Sequence, residues 1–426
     1  MNKRRKGKEH GKLKHDRASP GVSWNKGMPF VLVVILLIGV TIVLLRDSAP
    51  SPPPKGLPDG APPASPSARR FQPTEKWLQR AYTIDGLFHT VYTPCWEGAY
   101  GAIGDAHLFA VTKDSSLLRF HSVLHDLSSM CAGTWVDDRA WVCLAEMYWW
   151  QFTGKSNVHW VMDALQRYTE ARMEGRLSNH EGFWSWYNWP PHAGVKEKIF
   201  TNSNMNQMAS VACWLYEVTG EKHFLDDALL VWNGDEKYPG IEKHLYKGDG
   251  KWEGEPGHAA FGNQLPWEGA GYCSIGAALY RVTKEPKYKT IAVSTARRLM
   301  NPANGWVDPV DFYQIRMDGN GAFVHFILDA YQLAPDDLQD IPAKVEKMLE
   351  HAWTNAHGRA TVTLHRESDH GMRNGWNPSG GEHGYGVDEV GTVHAQGEAV
   401  RAFGVFAYVV NTVIPPRGKG TSQGGL

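Results

Sequence analysis

The sequence predicts an all-α protein, an (α/α)6 toroid of helical hairpins preceded by one transmembrane helix and a Pro/Ser-rich linker. Three observations predict this arrangement: helical periodicity throughout the body, a recurring pattern of helix, turn and helix, and an unbroken apolar run near the N-terminus. No long stretch of the body alternates apolar and polar residues with the period of two that is typical of strands.

The hairpin pattern occurs four times. An apolar helix ends on threonine, a polar turn follows, and a second apolar helix begins five residues after that threonine. The four threonines are Thr112, Thr153, Thr219 and Thr283. The later copies are separated by about two helices and their connections, which is the spacing of stacked hairpins. We expect the hairpins to close into a ring, and an open solenoid is the competing architecture.

Apolar stripes mark the predicted helices 138–152, 205–218 and 274–282, such as the one that Trp141, Tyr148 and Phe152 form. The predicted helices cover residues 75–90, 138–152, 205–218, 274–282, 321–333, 340–352 and 394–411. The segments between them are long, rich in Trp, Gly, His and Asn, and too aromatic to be disordered. We expect these segments to converge on one face of the ring. They are residues 179–204, 247–271, 301–320 and 354–393.

Residues 30–45 form an apolar run between Lys26 and Arg46. At about 1.5 Å per residue the run reaches roughly 24 Å, near the short limit for a membrane-spanning helix. Basic flanks stay in the cytoplasm, so the N-terminus is predicted to be cytoplasmic. Everything after Arg46 is then extracytoplasmic, in the periplasm or at the cell surface. A cleaved signal peptide is the alternative interpretation.

The chain divides into five predicted segments. They are a basic cytoplasmic tail (1–27), a transmembrane anchor (28–46), a Pro/Ser-rich linker (47–70), the toroid (71–413) and a disordered tail (414–426). Of the 44 basic residues ten precede the linker, against two of the 45 acidic ones, so the body is acidic. An acidic body repels phosphate backbones, which argues against nucleic acid as a partner. The five cysteines show neither a disulfide framework nor zinc-ligand spacing.

Asp137 and Asp138 stand at the start of the most aromatic predicted helix, between Trp135 and Trp141. Cleavage of a glycosidic bond uses two carboxyl groups, about 5 to 5.5 Å apart for retention and further apart for inversion. Adjacent residues at a helix start reach only the shorter separation. The structural alternative is that one aspartate caps the helix and the other offsets its macrodipole.

Three stretches resemble the α-1,6-mannanases of glycoside hydrolase family 76. WVDDRAWVCLAEMYWWQFTG (135–154) is similar to that family's Asp-Asp-x-x-Trp helix, and FWSWYNWPPHAGVKEKIFTNSNMNQMASVACWLYEVTG (183–220) to its Trp-rich strip and Thr-Asn helix start. WEGAGYCSIGAALYRVTKEPKY (267–288) falls where the family has a Tyr-Asn-Gln-Gly helix start, which Trp267-Glu268-Gly269 replaces. The resemblance implies Asp137 as nucleophile and Asp138 as general acid/base of a retaining mechanism, without metal or organic cofactor.

Further residues are candidates for binding a sugar. Tryptophans in the loops suit stacking on the apolar faces of sugar rings, and Asn202 either donates to a hydroxyl or caps the helix that follows. Glu268 is a third carboxyl on the expected active face. The candidate substrate-binding residues are Trp135, Trp184, Trp186, Asn202, Trp267, Glu268 and Trp376. The His-rich loop near the C-terminus lacks metal-ligand spacing, so no metal site is predicted.

The predicted function is a membrane-anchored, extracytoplasmic retaining glycoside hydrolase or transglycosylase that acts on α-mannan-like, α-1,6-linked glycans. Its predicted partners are an oligosaccharide or polysaccharide substrate and the membrane. Two alternatives stay open. One is a sugar epimerase of the N-acylglucosamine 2-epimerase-like type, with His325, His383 and His394 as acid and base. The other is a non-catalytic glycan-binding surface protein. A terpene-cyclase-like toroid is excluded, because residues 137–141 lack the third carboxyl of a DDxxD cluster.

Overall fold

Helical hairpins make up most of the residues described in this computed structural model. The described residues all lie in one unit, Ser67–Leu426. They are residues 73–91, 96–119, 136–154, 158–178, 202–234, 236, 240–252, 266–304, 320–355, 361–362, 390–391 and 393–414.

Twelve α-helices lie in this part of the chain, and one of them, α7, has only five residues. Their bounds are α1 Pro73–Val91, α2 Trp96–Thr112, α3 Val136–Thr153, α4 Val158–Ser178, α5 Asn202–Thr219, α6 Lys222–Asn233, α7 Gly240–His244, α8 Pro266–Thr283, α9 Pro286–Leu299, α10 Asn320–Leu333, α11 Ile341–Asn355 and α12 Val393–Thr412. Two 3-10 turns, Ser115–Arg119 and Pro302–Asn304, accompany them.

Each predicted helix is present, and one boundary differs strongly. The sequence predicts residues 247–271 as a loop and a helix from residue 274, whereas α8 begins at Pro266. Two glycines, Gly269 and Gly271, lower the helix propensity of this turn. Gly269 packs directly under a buried tryptophan, because a Cβ there would come within 2.3 Å of the Trp252 ring. Tertiary packing therefore stabilises a helical turn that local propensity disfavours.

Four hairpins share the turn that the threonine repeat predicts. The Oγ1 atoms of Thr112, Thr153, Thr219 and Thr283 each donate to the carbonyl four residues earlier, at 2.6 to 2.9 Å. The residue after each threonine has a positive φ, from 57° to 97°. In three of the turns the same Oγ1 also accepts the backbone N–H two residues later, at 3.1 to 3.2 Å. One threonine thus pairs polar groups on both sides of the helix end.

The hairpins stack into a closed ring. Six inner helices contact one another in order, α2 with α3, α3 with α5, α5 with α8, α8 with α10 and α10 with α12. Helix α12 then packs against α2, which closes the circle and excludes the open solenoid. Helices α1, α4, α6, α9 and α11 pack around the inner ones. Residues 120–135, between α2 and α3, lie outside the described residues.

The closing contact between α2 and α12 depends on glycine. A Cβ on Gly104 would come within 2.3 Å of the carbonyl oxygen of Val400, and a Cβ on Gly404 within 2.6 Å of the carbonyl oxygen of Gly104. Real Cβ atoms do not approach other atoms so closely. The two helix backbones therefore meet at a distance that any side chain would prevent.

The inner helices point in one direction. Tyr100 of α2 contacts Trp141 of α3 with ring centroids 4.7 Å apart, and seven residues later His107 contacts Tyr148 at 4.6 Å. Contacts that advance in step indicate parallel helices. Each short hairpin makes an outer helix antiparallel to the inner helix before it, so the direction repeats around the ring. All inner helices therefore begin at the same end of the ring, and the long segments of the chain lead into those N-terminal ends.

Two very small sheets accompany the helices. Strands β1 (Tyr246–Gly248) and β2 (Lys251–Trp252) form an antiparallel hairpin, and β3 (Thr361–Val362) pairs in parallel with β4 (Val390–Gly391). The sequence predicts no strands. Strands of two or three residues are too short for a period-two pattern to reveal them.

Several predicted segments lie outside the described residues: the basic tail (1–27), the anchor (28–46), the linker (47–70) and nearly all of the C-terminal tail. Within the described ranges no helix is both long and apolar enough to cross a membrane. Cys143, Cys213 and Cys273 are free and buried, and burial raises the pKa of each thiol.

Candidate active site

The backbone brings several predicted site residues to the N-terminal end of the ring. Asp137 and Asp138 occupy the first turn of α3, and Asn202 is the first residue of α5. Trp267 and Glu268 lie in the first turn of α8. Because these are inner helices that begin at the same end, three segments far apart in sequence share one mouth of the ring. The roles given to their side chains stay predictions.

The remaining predicted site residues cannot be placed in this way. Trp135, Trp184, Trp186 and Trp376 lie outside the described residues, as does His383. They belong to the long segments that lead into the inner helices, or directly precede one.

Among the predicted sugar-binding residues, Trp267 has a described side-chain contact, which is with Trp141. It is partly buried, and its ring lies 5.8 Å from that of Trp141. Trp141 follows Asp137 by one helical turn and therefore lies on the same side of α3. The contact places the Trp267 indole close to the turn of α3 that carries the aspartate pair.

Trp141 belongs to an aromatic layer beneath that turn. Its buried ring meets Tyr100 edge-on at 4.7 Å and stacks on Phe326 at 6.0 Å. The guanidinium of Arg401 lies over all three rings, at 4.5 to 5.1 Å from their centroids. A cation enclosed by aromatic faces is stabilised by the ring quadrupoles, which offsets part of its lost hydration. Burial lowers the pKa of Arg401 to about 10, so the group remains a cation at neutral pH.

His325 is held in a neutral form by this layer. Its Nδ1 accepts hydrogen bonds from Nε and Nη2 of Arg401, at 2.9 and 2.7 Å. The proton must then be on Nε2, which donates to the Tyr148 hydroxyl at 2.7 Å. Burial and the neighbouring Arg401 hold the pKa of His325 well below its ordinary value. A fully buried imidazole whose two nitrogens are both occupied is unsuited to exchange protons with a sugar, which argues against the epimerase alternative.

The hydrogen-bonded chain continues to an acid. Tyr148 donates in turn to Asp329, which also accepts from Ser274. Burial raises the pKa of Asp329 to about 7, although the bond from Ser274 opposes the shift. The sequence predicts His325 only as an acid or base of the epimerase alternative, and it does not predict this chain from Arg401 to Asp329. The two charged ends of the chain do have a signal in the sequence. Arg401 in AVRAFGVFAYVV and Asp329 in FVHFILDAYQL are charged residues inside otherwise apolar helices.

A cavity of about 640 Å³ lies at the opposite end of the ring from the aspartate pair. It is lined by the C-terminal halves of α3, α5, α8 and α10, with Tyr148, Trp214, Ser274 and Asp329 among its walls. Tyr148 follows Asp137 by three helical turns, or roughly 16 Å along the axis at 1.5 Å per residue. The cavity and the predicted catalytic pair are therefore separate places in the fold.

No protein-family model and no curated protein matches this sequence. Solved structures do match. The α-1,6-mannanase of Salegentibacter sp. HEL1_6 is 16% identical, with a TM-score of 0.59 over 79% of this chain and 99% of that chain. An inactive variant of that enzyme has two consecutive aspartates replaced by asparagine and is in complex with α-1,6-mannotriose. It is 14% identical, with a TM-score of 0.59 over 78% and 99% of the two chains. This chain has the fold of the family 76 mannanases.

The resemblance to family 76 that the sequence indicates is thus confirmed at the level of the fold. The family 76 fold is not restricted to one reaction. A polysaccharide lyase is 12% identical to this chain, with a TM-score of 0.52 over 81% of this chain and 100% of that one. The fold alone therefore does not determine the reaction, which depends on the residues at the N-terminal mouth.

Proposed function

We propose that this chain is a membrane-anchored, extracytoplasmic retaining glycoside hydrolase that cleaves α-1,6-linked mannan-like glycans through Asp137 and Asp138. The observation that carries the proposal is the position of this pair, consecutive aspartates in the first turn of an inner helix of a mannanase-like ring. In one structure with this fold, replacement of two consecutive aspartates gives an inactive variant.

The two carboxyl groups need different protonation states. Asp137 is the nucleophile and must be ionised, and the N-terminal end of α3 stabilises a negative charge. Asp138 is the acid and must hold a proton beside that charge, which like-charge repulsion favours. The same two carboxylates at one helix start therefore supply both the nucleophile and the acid.

The reaction runs in two steps. A carboxylate oxygen of Asp137 bonds to the anomeric carbon while the bond from that carbon to the leaving oxygen breaks, and Asp138 gives its proton to the leaving oxygen. Asp138 then takes a proton from water, whose oxygen attacks the anomeric carbon and releases Asp137. Two inversions leave the anomeric configuration unchanged. A sugar hydroxyl in place of water makes the same chain a transglycosylase.

The other mouth residues bind the sugar in this proposal. The partly buried Trp267 offers an aromatic face next to the turn that carries the pair. Glu268 and Asn202 offer an acceptor and a donor for hydroxyls at the same mouth. The proposed extracytoplasmic location is supported by the apolar run of residues 30–45 and the basic residues that precede it.

The substrate is tested by incubating the full chain with α-1,6-mannan, with α-1,6-mannotriose and with α-glucans of other linkages. We expect mannan-derived products only, and the first product to have the α configuration when NMR spectra are recorded before mutarotation. A first product of β configuration contradicts retention. Cleavage of the α-glucans alone contradicts the assignment of the sugar.

The predicted membrane anchoring is tested separately, by membrane fractionation of the full chain and of a chain that lacks residues 1–46. We expect the full chain in the membrane fraction and resistant to alkaline extraction. A full chain that is released by alkali contradicts the anchor but leaves the enzymatic proposal intact.

A further inference from the structure

The cavity at the C-terminal end of the ring has the construction of a ligand site. Its lining includes the exposed residues Glu217, Arg281 and Lys284 at the mouth and the buried residues His107 and Tyr148 on the floor. Its volume, about 640 Å³, lies within the range of small-molecule sites. Nothing in the proposed hydrolysis uses it, because the aspartate pair is three helical turns away on α3.

The charges around this cavity largely cancel. Nε of Arg281 donates to both carboxylate oxygens of Glu217, at 2.6 and 2.8 Å, so the two mouth charges are paired. On the floor, burial lowers the pKa of His107 to about 3, and this imidazole is therefore neutral. Lys284 lies exposed at the rim and Asp329 lies deeper. This balance favours neither a phosphate nor an amine.

Hydrogen-bonding groups on the floor are fixed in position. Asp329 is held by Tyr148 and Ser274, and Tyr148 is held in turn by His325. Because burial raises the pKa of Asp329 to about 7, its carboxyl group can accept or donate a hydrogen bond near neutral pH. A hydroxyl can do the same, which makes it a suitable partner in either state.

Aromatic walls complete the cavity. Trp150, Phe152, Trp214 and Tyr280 line it, and the first of these meets Trp214 edge-on at 5.8 Å. Trp214 is only 3% exposed and its indole Nε1 is enclosed by protein, so this residue offers the cavity an apolar ring surface. Aromatic rings around a cavity with fixed polar groups on its floor suit a ligand that has apolar faces and polar edges.

We propose that this cavity binds a small neutral polyhydroxylated ligand with the size of one or two sugar rings. A sugar ring has apolar C–H faces for the aromatic walls and hydroxyls for the carboxyl of Asp329 and the hydroxyl of Ser274. The site is distinct from the mouth that carries Asp137, so it binds its ligand whether or not the chain is a mannanase.

The test measures binding of D-mannose, D-glucose and myo-inositol to the full chain by isothermal titration and ligand-observed NMR. The decisive variant is Trp214→Phe, which replaces the indole with a smaller ring and so removes part of the aromatic wall. Its matched control is Trp232→Phe. Trp232 is also buried, but it lies on the outer helix α6.

We expect at least one of the three compounds to bind, and Trp214→Phe to weaken that binding at least fivefold, while Trp232→Phe changes it less than twofold. Ser274→Ala removes a single hydroxyl from the floor and should weaken binding in the same direction. Ser294→Ala on α9 serves as its control. Any sugar bound at the opposite mouth is insensitive to these four changes.

Three results would overturn the proposal. The first is that none of the probes binds. The second is equal affinity in the wild type, Trp214→Phe and Ser274→Ala, which assigns all binding to the other mouth. The third is equal weakening by Trp214→Phe and Trp232→Phe, which indicates a general loss of packing.

Discussion

The inner and outer helices of the ring differ in what they bury. Outer helices such as α9 have one apolar face, and their polar faces carry exposed ion pairs, for example Lys289 with Asp337 at 2.8 Å. Inner helices are buried over most of their surface and still contain polar residues, among them His325 and Arg401, both fully buried. The outer helices therefore enclose and stabilise the fold, whereas the inner helices hold the groups that can do chemistry.

Glycine shows the same contrast. On the inner helices, Gly104, Gly276, Gly321 and Gly404 all lie where a Cβ would come within 2.3 to 2.8 Å of a neighbouring helix backbone. Gly86 on the outer helix α1 has no atom within 4 Å of the position of its missing Cβ. At Gly104, Gly321 and Gly404 two inner helices thus approach each other as closely as backbones allow, and at Gly276 α8 approaches the outer helix α9 in the same way.

The largest effect is expected where the ring closes. Gly104→Ala forces α2 away from the Val400 carbonyl and should lower the free energy of unfolding by about 3 kcal/mol or more, as overpacking against a backbone does. Gly86→Ala should raise it by about 0.5–1 kcal/mol through helix propensity. Urea unfolding measures both. Equal effects from the two changes would contradict the tight closure.

A buried ion pair joins the inner and outer layers. Glu146 of α3 is fully buried and pairs with Arg167 of α4. Glu146→Leu leaves a guanidinium that cannot lose its proton, and should cost about 3 kcal/mol. The exposed pair of Lys222 with Asp226 on α6 is the control, and Asp226→Asn should change stability by less than about 0.5 kcal/mol. Thermal and urea unfolding should rank the two variants in this order, and similar costs would contradict the contrast between the layers.

The inner acid Asp329 should make stability depend on pH. Its pKa is raised from 3.8 to about 7 in the folded protein, so the native state binds more protons than the unfolded chain between these values. The free energy of unfolding should therefore fall as pH rises from 4 to 7, by about 1.4 kcal/mol per pH unit at most, and level off above. Asp329→Asn should remove this component. A constant difference between wild type and variant from pH 5 to pH 8 would contradict the raised pKa.

The smallest effect concerns the hairpin turns. Thr219 donates to the Leu215 carbonyl and accepts from the Glu221 N–H, so Thr219→Ala should cost about 1 kcal/mol. Thr290 on the outer helix α9 makes only the first kind of bond among the described contacts, to Pro286. Thr290→Ala should therefore be nearly neutral in urea unfolding, and an equal cost would show that the bond across the turn contributes nothing.

The sequence predicts the repeating parts of this fold well, because their signals are local. A threonine at a helix end, a turn and an apolar residue five positions later, such as Phe224, suffice to place a hairpin. The start of α8 escapes this reasoning, because Gly269 is explained only by the tryptophan that packs on it. The hydrogen-bonded chain from Arg401 to Asp329 cannot be predicted from local sequence either, because its members come from three different helices, α3, α10 and α12. For the aspartate pair the sequence predicts a chemical role, and the structure describes only the position of the backbone at the start of α3.

The central claim is that the N-terminal mouth of the inner ring cleaves α-1,6-mannan with Asp137 and Asp138. The most direct measurement is the initial rate of α-1,6-mannan cleavage by the wild type and by Asp137→Asn, Asp138→Asn and the outer-helix control Asp226→Asn. Each mouth variant should lose about 10³-fold or more in kcat with its unfolding curve unchanged, and the control should retain the wild-type rate. Cleavage at a near-normal rate by either mouth variant would contradict the claim.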